Sequence, residues 1–223
     1  MKIYYRISSA GYKFKNKPEY ITKENCLSNF IKEFGIPTII ADNCDDNLKG
    51  YLSRFKDVIY TNFGNSKTFL FILENAIKLS DDETVYFVED DYIHRKNSKK
   101  VMLEAFTLGV DYVSLYDHPD KYGQSHCPNP LITGMGEDTQ VYLTDSCHWK
   151  LTNSTTYTFA TKVKTLKEDY NLIVPFASIP KDFEMWIALL TKGRSLITPI
   201  PGYATHGETA WLCPLTNWET EIL

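Results

Sequence analysis

The chain has 223 residues, 43% of them hydrophobic and 14% aromatic, which is ample for a packed core and fits a single domain. Its formal net charge of -4 lacks the basic excess that nucleic-acid binding requires, so no nucleic-acid partner is expected. The five cysteines (Cys26, Cys44, Cys127, Cys147, Cys213) are too scattered for a CxxC metal or redox motif and read as reduced thiols of a cytoplasmic protein; no apolar run is long enough for a transmembrane segment, and the start MKIYYRISSAGYKFKNK has no signal-peptide core.

In chain order, Lys2 to Ser8 (KIYYRIS) is β-branched and aromatic and predicts a strand. Pro18 opens a helical pattern in which Cys26, Leu27, Phe30, Ile31 and Phe34 share one face, stopped by Gly35 and Pro37. Thr38 to Ala41 is a second strand with Asp42 at its end, and Asp57 to Asn62 a third. Gly64-Asn65-Ser66 caps a helix with Phe69, Leu70, Leu73, Ala76 and Ile77 inward. Thr84 to Val88 is a fourth strand, Asn97-Ser98 caps a helix closed by Gly109, and Asp111 to Tyr116 is a fifth strand. Strand alternating with helix predicts an α/β fold with a mostly parallel central sheet covered on both faces. After residue 116 the pattern changes. The segment from His118 to Pro130 is a polar loop of lid-forming length, and QVYLTD and HWKLTNSTTYTFAT read as antiparallel strands. One helix is expected there, Asp182 to Lys192, closed by Gly193.

The fourth strand runs directly into Glu89-Asp90-Asp91. Three adjacent carboxylates repel and need water or a cation. In open α/β sheets the ligand crevice lies beyond the carboxyl ends of the strands, where such acids can hold Mg²⁺ or Mn²⁺. Taken alone, the triplet is better read as a solvated turn.

Four segments in order carry a resemblance: TNFGNSKTFLFILENAI, EDD after the apolar strand, KDFEMWIALLTKG (Lys181 to Gly193) and GYATHGETAWL (Gly202 to Leu212). The chain resembles, over nearly its whole length, the inverting, family-2-like glycosyltransferases of the GT-A fold, which use nucleotide sugars and carry a DXD motif. The resemblance implies a Rossmann-like sheet with a smaller antiparallel part, a nucleotide-binding half (1–116) and an acceptor-binding half (117–223). It further implies a Mn²⁺ or Mg²⁺ cofactor, a nucleotide-sugar donor with uridine as the family's commonest base, and a glycan or other hydroxyl acceptor. Two departures stand out. Lys181 replaces an acid before Asp182, and YYRISS lacks the family's usual first loop.

The resemblance assigns Asp91 to the metal, with Glu89 and Asp90 contacting the ribose or a metal-bound water. His206 completes the metal site or touches the diphosphate, although local hydrogen bonds explain it equally well. Asp182 or Glu184 is the general base. An Asp at a helix start is also a good cap, and Glu184 complements the helix dipole. Asp42 is placed at the nucleobase, and Asn65, Ser66 and Lys67 open a helix whose N-terminus suits a diphosphate or simply caps itself. Arg6 is a further nucleotide contact. Ser154, Thr155, Thr156, Trp149, Tyr157, Trp186 and Trp211 are candidates for sugar contact or for the core. Two other readings stay open: a sugar nucleotidyltransferase, against which SSAGYKFKNK has only one glycine, and a non-catalytic sugar- or nucleotide-binding module.

Overall fold

The computed structural model describes residues 1–10, 15–123, 125–127, 129–179 and 181–222. Eleven strands and six helices follow one another as β1 (Lys2–Ser8), α1 (Lys23–Phe34), β2 (Thr38–Asp42), α2 (Asp46–Leu52), β3 (Val58–Thr61), α3 (Asn65–Ala76), β4 (Thr84–Glu89), β5 (Tyr92–His94), α4 (Ser98–Ala105), β6 (Tyr112–Val113), β7 (Val141–Leu143), β8 (His148–Leu151), β9 (Phe159–Lys162), α5 (Val163–Ser178), α6 (Asp182–Thr191), β10 (Leu196–Ile200) and β11 (Ala204–His206) among the described residues. Nine strands form one sheet in the order β3-β2-β1-β4-β9-β6-β10-β8-β7, and β5 pairs with β11 in a second, two-stranded sheet. Strands β3, β2, β1 and β4 are parallel; β9 runs antiparallel to both of its neighbours, β4 and β6. The expected α/β class with a mostly parallel sheet and an antiparallel part is the fold observed. Because β9 lies between β4 and β6, the two halves of the chain share one sheet.

The alternation of side chains along β4 explains its unbroken apolar run. Tyr86 and Val88 enter a core with Cys26, Leu27 and Phe30 of α1 and Val101 and Met102 of α4. Val85 and Phe87 enter the opposite core with Phe69 and Leu73 of α3, Leu166 and Ile173 of α5, and Met185 and Trp186 of α6. A strand buried on both faces has no polar face to show. In α1, Thr22 accepts the Asn25 N–H as cap and Gly35, at φ 87°, ends the helix. The helix starts at Lys23, five residues after Pro18, because Pro18 to Ile21 is taken up by a turn closed from the Ile21 N–H to the Pro18 carbonyl.

Three elements differ from expectation. Asp46–Leu52 is a helix, α2, capped by the Asp45 side chain. The segment 163–178, left without an element by the sequence reading, is the 16-residue helix α5. Its apolar positions Val163, Leu166, Tyr170, Ile173 and Ala177 do recur at helical spacing, but Pro175 interrupts the pattern. Its buried Asp169 accepts the Tyr112 hydroxyl and pairs with Arg194 and Lys192, which ties α5 to β6 and to the turn after α6. The segment after His118 is not a free lid over its described residues. Lys121 is 1% exposed, with its ammonium on Asn153, Ser154 and Asp120. No helix among the described residues is long and apolar enough to cross a membrane, and Cys26, Cys44 and Cys213 are buried.

His94 is fully buried between Phe30 and Phe34, with Nε2 on the Tyr86 hydroxyl at 2.7 Å. Burial pushes its pKa down to about 3. The unfolded chain therefore binds this proton first, so the contribution of His94 is complete above an unfolded pKa of about 6.5 and is lost as pH falls below it. His94→Gln should flatten the pH dependence of urea unfolding by about 2 kcal/mol between pH values of about 6.5 and 5, at one proton and about 1.4 kcal/mol per pH unit.

Candidate functional site

The sheet order 3-2-1-4 reverses between β1 and β4, and ligand crevices of open α/β sheets form at such a reversal. A cavity of about 320 Å³ lies there. It is lined by Arg6, Ile7, Ser8 and Ala10 at the end of β1, Lys15, Asp42 and Asn43 after β2, Gly64, Asn65 and Thr68 at the start of α3, Glu89 to Asp91, and His206. Of the residues singled out from sequence, Arg6, Asp42, Asn65, Glu89, Asp90, Asp91 and His206 meet in this one place. Ser66, Lys67, Asp182 and Glu184 are not among its lining residues. A broader depression of about 1070 Å³ between α1 and α4, lined by side chains such as Lys32, Glu33, Lys96 and Lys100, contains none of them.

Strand geometry distributes the triplet. Glu89 is the register partner of Arg6 in the β1–β4 ladder and takes its guanidinium at 2.9 Å. The same guanidinium donates to the Asn65 side chain at 2.7 Å and lies over the Phe69 ring, 4.9 Å from its centre. Asp90 points to the opposite face, where Lys23 in the first turn of α1 reaches it at 2.7 Å and the Ser8 N–H donates at 2.9 Å. Asp91 leaves the sheet. Its carbonyl accepts the Gly207 N–H at 2.7 Å, and one carboxylate oxygen receives Lys17 at 2.7 Å, His206 Nε2 at 3.2 Å and Lys15 at 3.6 Å. Gly207 permits this approach, because a Cβ there would stand 2.8 Å from the Asp91 carbonyl and 2.5 Å from Ile21.

Burial pushes the carboxyls of Glu89 and Asp90 up, opposed by Arg6 and Lys23 respectively and reinforced by the charge of Asp91. Burial acts on Asp91 in the same direction, but the charges of His206, Lys17 and Lys15 outweigh it and hold Asp91 well below the usual carboxylate range.

The metal expectation can be tested against these contacts. His206 Nε2 lies 3.2 Å from the Asp91 carboxylate and Nδ1 stands 3.3 Å from the Glu208 N–H, so both ring nitrogens already have partners within the chain. Lys17 and Lys15 already converge on the oxygen that a metal would use. Among the described residues no group of three or more His, Cys, Asp or Glu side chains could hold a metal ion. The residues present do not fit a divalent cation.

Asp42 has little carboxylate to spare for a nucleobase. One oxygen accepts the Thr61 hydroxyl at 2.8 Å and the Phe63 N–H at 2.6 Å, and the other the Gly64 N–H at 3.0 Å and the Asn43 amide at 2.8 Å. It shapes the loop into α3, with Gly64 at φ 81°. Ser66 and Lys67 lie on the first turn of α3, half-buried and exposed respectively.

Asp182 opens α6 as a half-buried residue, its side chain accepting the Phe183 N–H at 2.9 Å. Burial pushes its carboxyl up, with the Phe183 N–H and His118 opposing. Its charge also acts on Glu89, so the two face one region. Tyr157 sets this helix end by accepting the Lys181 N–H at 3.1 Å and resting on Phe69, ring centres 4.7 Å apart. Glu184 is exposed. Trp149, Trp186 and Tyr157 are core residues, whereas half-buried Trp211 stacks beside His118 and His126. Ser154 and Thr155 are buried, serving Lys121 and Ser114, and Thr156 bonds the Tyr92 hydroxyl. The sequence reading missed Lys15, Lys17, Lys23 and His118. The lysine-rich run after the first strand was the available signal.

No protein-family model matches the chain, and no curated protein matches it either. Solved structures do. A putative glucose-1-phosphate thymidylyltransferase from Bacillus anthracis, in complex with a sucrose, is 13% identical, with a TM-score of 0.54 over 94% of this chain and 91% of that one. A nucleotidyl transferase from Methanothermobacter is 11% identical (TM-score 0.46, 89% and 86%), and the bifunctional IspDF from Campylobacter jejuni 13% identical (TM-score 0.46, 100% and 54%). The first of these likenesses extends to the fold: an α/β sheet of the Rossmann-like nucleotidyltransferase kind.

Asp42→Ala should destabilise the protein by about 1 to 2 kcal/mol in urea unfolding, because it removes the shared acceptor of the Phe63 and Gly64 N–H groups and the Thr61 hydroxyl. An unchanged unfolding midpoint would mean that Asp42 is held for a ligand rather than for the loop.

Proposed function

We propose that the cleft between β1 and β4 binds a nucleoside diphosphate sugar and that the chain is a transferase acting on it. The nucleotide lies against the first half of the chain and the acceptor against the second. The observation that carries this is the convergence, at the reversal of the sheet order, of Arg6, Lys15 and the start of α3 on one cavity. Cations and a helix N-terminus suit a diphosphate.

Two chemistries fit this binding mode. In glycosyl transfer, Asp182 takes the proton from an acceptor hydroxyl as that oxygen attacks the anomeric carbon, and the nucleoside diphosphate leaves with inversion. Desolvation, which pushes Asp182 up, brings a carboxylate closer to the pKa of a useful base. In nucleotidyl transfer, a sugar phosphate attacks the α-phosphorus of a nucleoside triphosphate and pyrophosphate leaves. Lys15 and Lys17, in the loop after β1, and the thymidylyltransferase-like fold favour this second reaction, which is the better supported by the structures compared. The uridine preference and the glycan acceptor belong to the glycosyl reading and come from resemblance alone.

One set of assays separates the readings. Donor sugars of uridine, guanosine and thymidine diphosphate are followed for nucleoside diphosphate release, and nucleoside triphosphates with sugar 1-phosphates for pyrophosphate release. Glycosyl transfer predicts the first product only, and a loss of about 100-fold or more in kcat for Asp182→Asn with donor binding kept. Nucleotidyl transfer predicts the second product, with Asp182→Asn close to wild type. Tight binding without either product would make the chain a binding module.

A further inference from the structure

We propose that lysine ammonium groups stand where a divalent cation would be expected, so that diphosphate binding in this cleft needs no metal. The inference rests on the nucleotide reading above and goes beyond it by naming what neutralises the phosphates.

Each carboxylate at the floor of the cleft has its own cation. Arg6 holds Glu89 and Lys23 holds Asp90. Lys17 holds Asp91 with both side chains nearly buried, 6% and 8% exposed. Lys15 reaches the same Asp91 oxygen and Glu208, at 3.6 and 3.7 Å, and its 40% exposed side chain lines the cavity. The triplet is therefore compensated from within the chain. Lys17 is the buried internal counter-ion, and Lys15 is the accessible charge.

The geometry also distinguishes the two lysines. An ammonium offers three donors. Lys17 directs at least one to Asp91, which fixes its charge behind that carboxylate rather than in the cavity lining. Lys15 sits beyond hydrogen-bond length from both of its acids, so it can turn to a phosphate oxygen without breaking a short bond. Arg6 adds a third charge on the opposite wall, and its Nε is buried without a partner. The ligand class that matches a cleft with a fixed cation, a movable cation and an arginine is a pyrophosphate-bearing nucleotide. His206 serves as a donor that orients Asp91 rather than as a metal ligand.

The test is calorimetric titration of the full chain with uridine diphosphate, guanosine diphosphate, thymidine diphosphate and inorganic pyrophosphate, in EDTA and again in Mn²⁺, together with titration of Mn²⁺ alone. The expected result is at least one diphosphate bound with affinities that agree within about twofold in the two buffers, and no Mn²⁺ binding at the cleft. Lys15→Ala should weaken binding about tenfold or more while leaving the melting temperature nearly unchanged, since both of its ion pairs are longer than a hydrogen bond. Lys17→Met should weaken it further, and Lys17→Arg, which keeps the buried charge, should retain binding if the Met variant fails to fold. Affinity that appears only with Mn²⁺, or Lys15→Ala binding as wild type, would overturn the proposal while leaving the nucleotide reading intact. Absence of binding by every diphosphate in both buffers would overturn the nucleotide reading and this inference with it.

Discussion

Three carboxylates in a row at the end of a strand buried on both faces set the terms for everything around them. Stripping even one such charge of its partner costs about 3 to 5 kcal/mol, so the fold must deliver a cation to each. It does so from three separate elements. Arg6 comes from the neighbouring strand, Lys23 from the first turn of α1, and Lys17 from the loop between those two. The same loop brings Lys15 into the cavity. Compensation of the triplet and construction of the binding cleft are one arrangement of residues.

The second sheet exists to complete that arrangement. β5 leaves the sheet immediately after Asp91 and is met by β11, whose register sets His206 opposite Tyr92. The close approach at Gly207 then brings the His206 ring to the Asp91 carboxylate. Packing beneath is correspondingly rigid. Tyr92 bonds Thr156, Tyr157 seats the start of α6, and Phe69 carries both Tyr157 and the Arg6 guanidinium. Asp182 is thereby connected through aromatic contacts to the same arginine that neutralises Glu89.

The polar interior of the second half follows the same rule on a larger scale. Lys150 pairs with Asp117 and approaches Glu137, with every one of these side chains at most 6% exposed, and Lys121 is held among Asn153, Ser154 and Asp120. A loop that by composition looks free is in fact anchored by buried charge. His118, which accepts the Asp120 N–H, is carried on that anchored segment to the neighbourhood of Asp182 and Trp211.

The sequence by itself determined the alternation of strand and helix through Tyr116, the two-sided burial of β4, and the placing of Asp42 and of Glu89-Asp90-Asp91 at strand ends; the grouping of Arg6, Asn65 and His206 with them came from the family resemblance. These are local properties, since apolar periodicity and strand termination are written in neighbouring residues. It was silent on α5, where Pro175 obscures a spacing that packing against α3 and α6 nonetheless enforces, and on α2, a seven-residue helix with only Leu48 and Leu52 buried. Only the tertiary structure decided which charge meets which. That Lys17 rather than an ion sits on Asp91, that Asp42 is spent on the Phe63 and Gly64 amides, and that Glu184 faces solvent all depend on distances between segments far apart in the chain. Electrostatic pairing falls off over a few ångströms and carries no periodic signature, so a row of lysines after one strand and a row of acids after another disclose their relation only once the sheet order has placed them side by side.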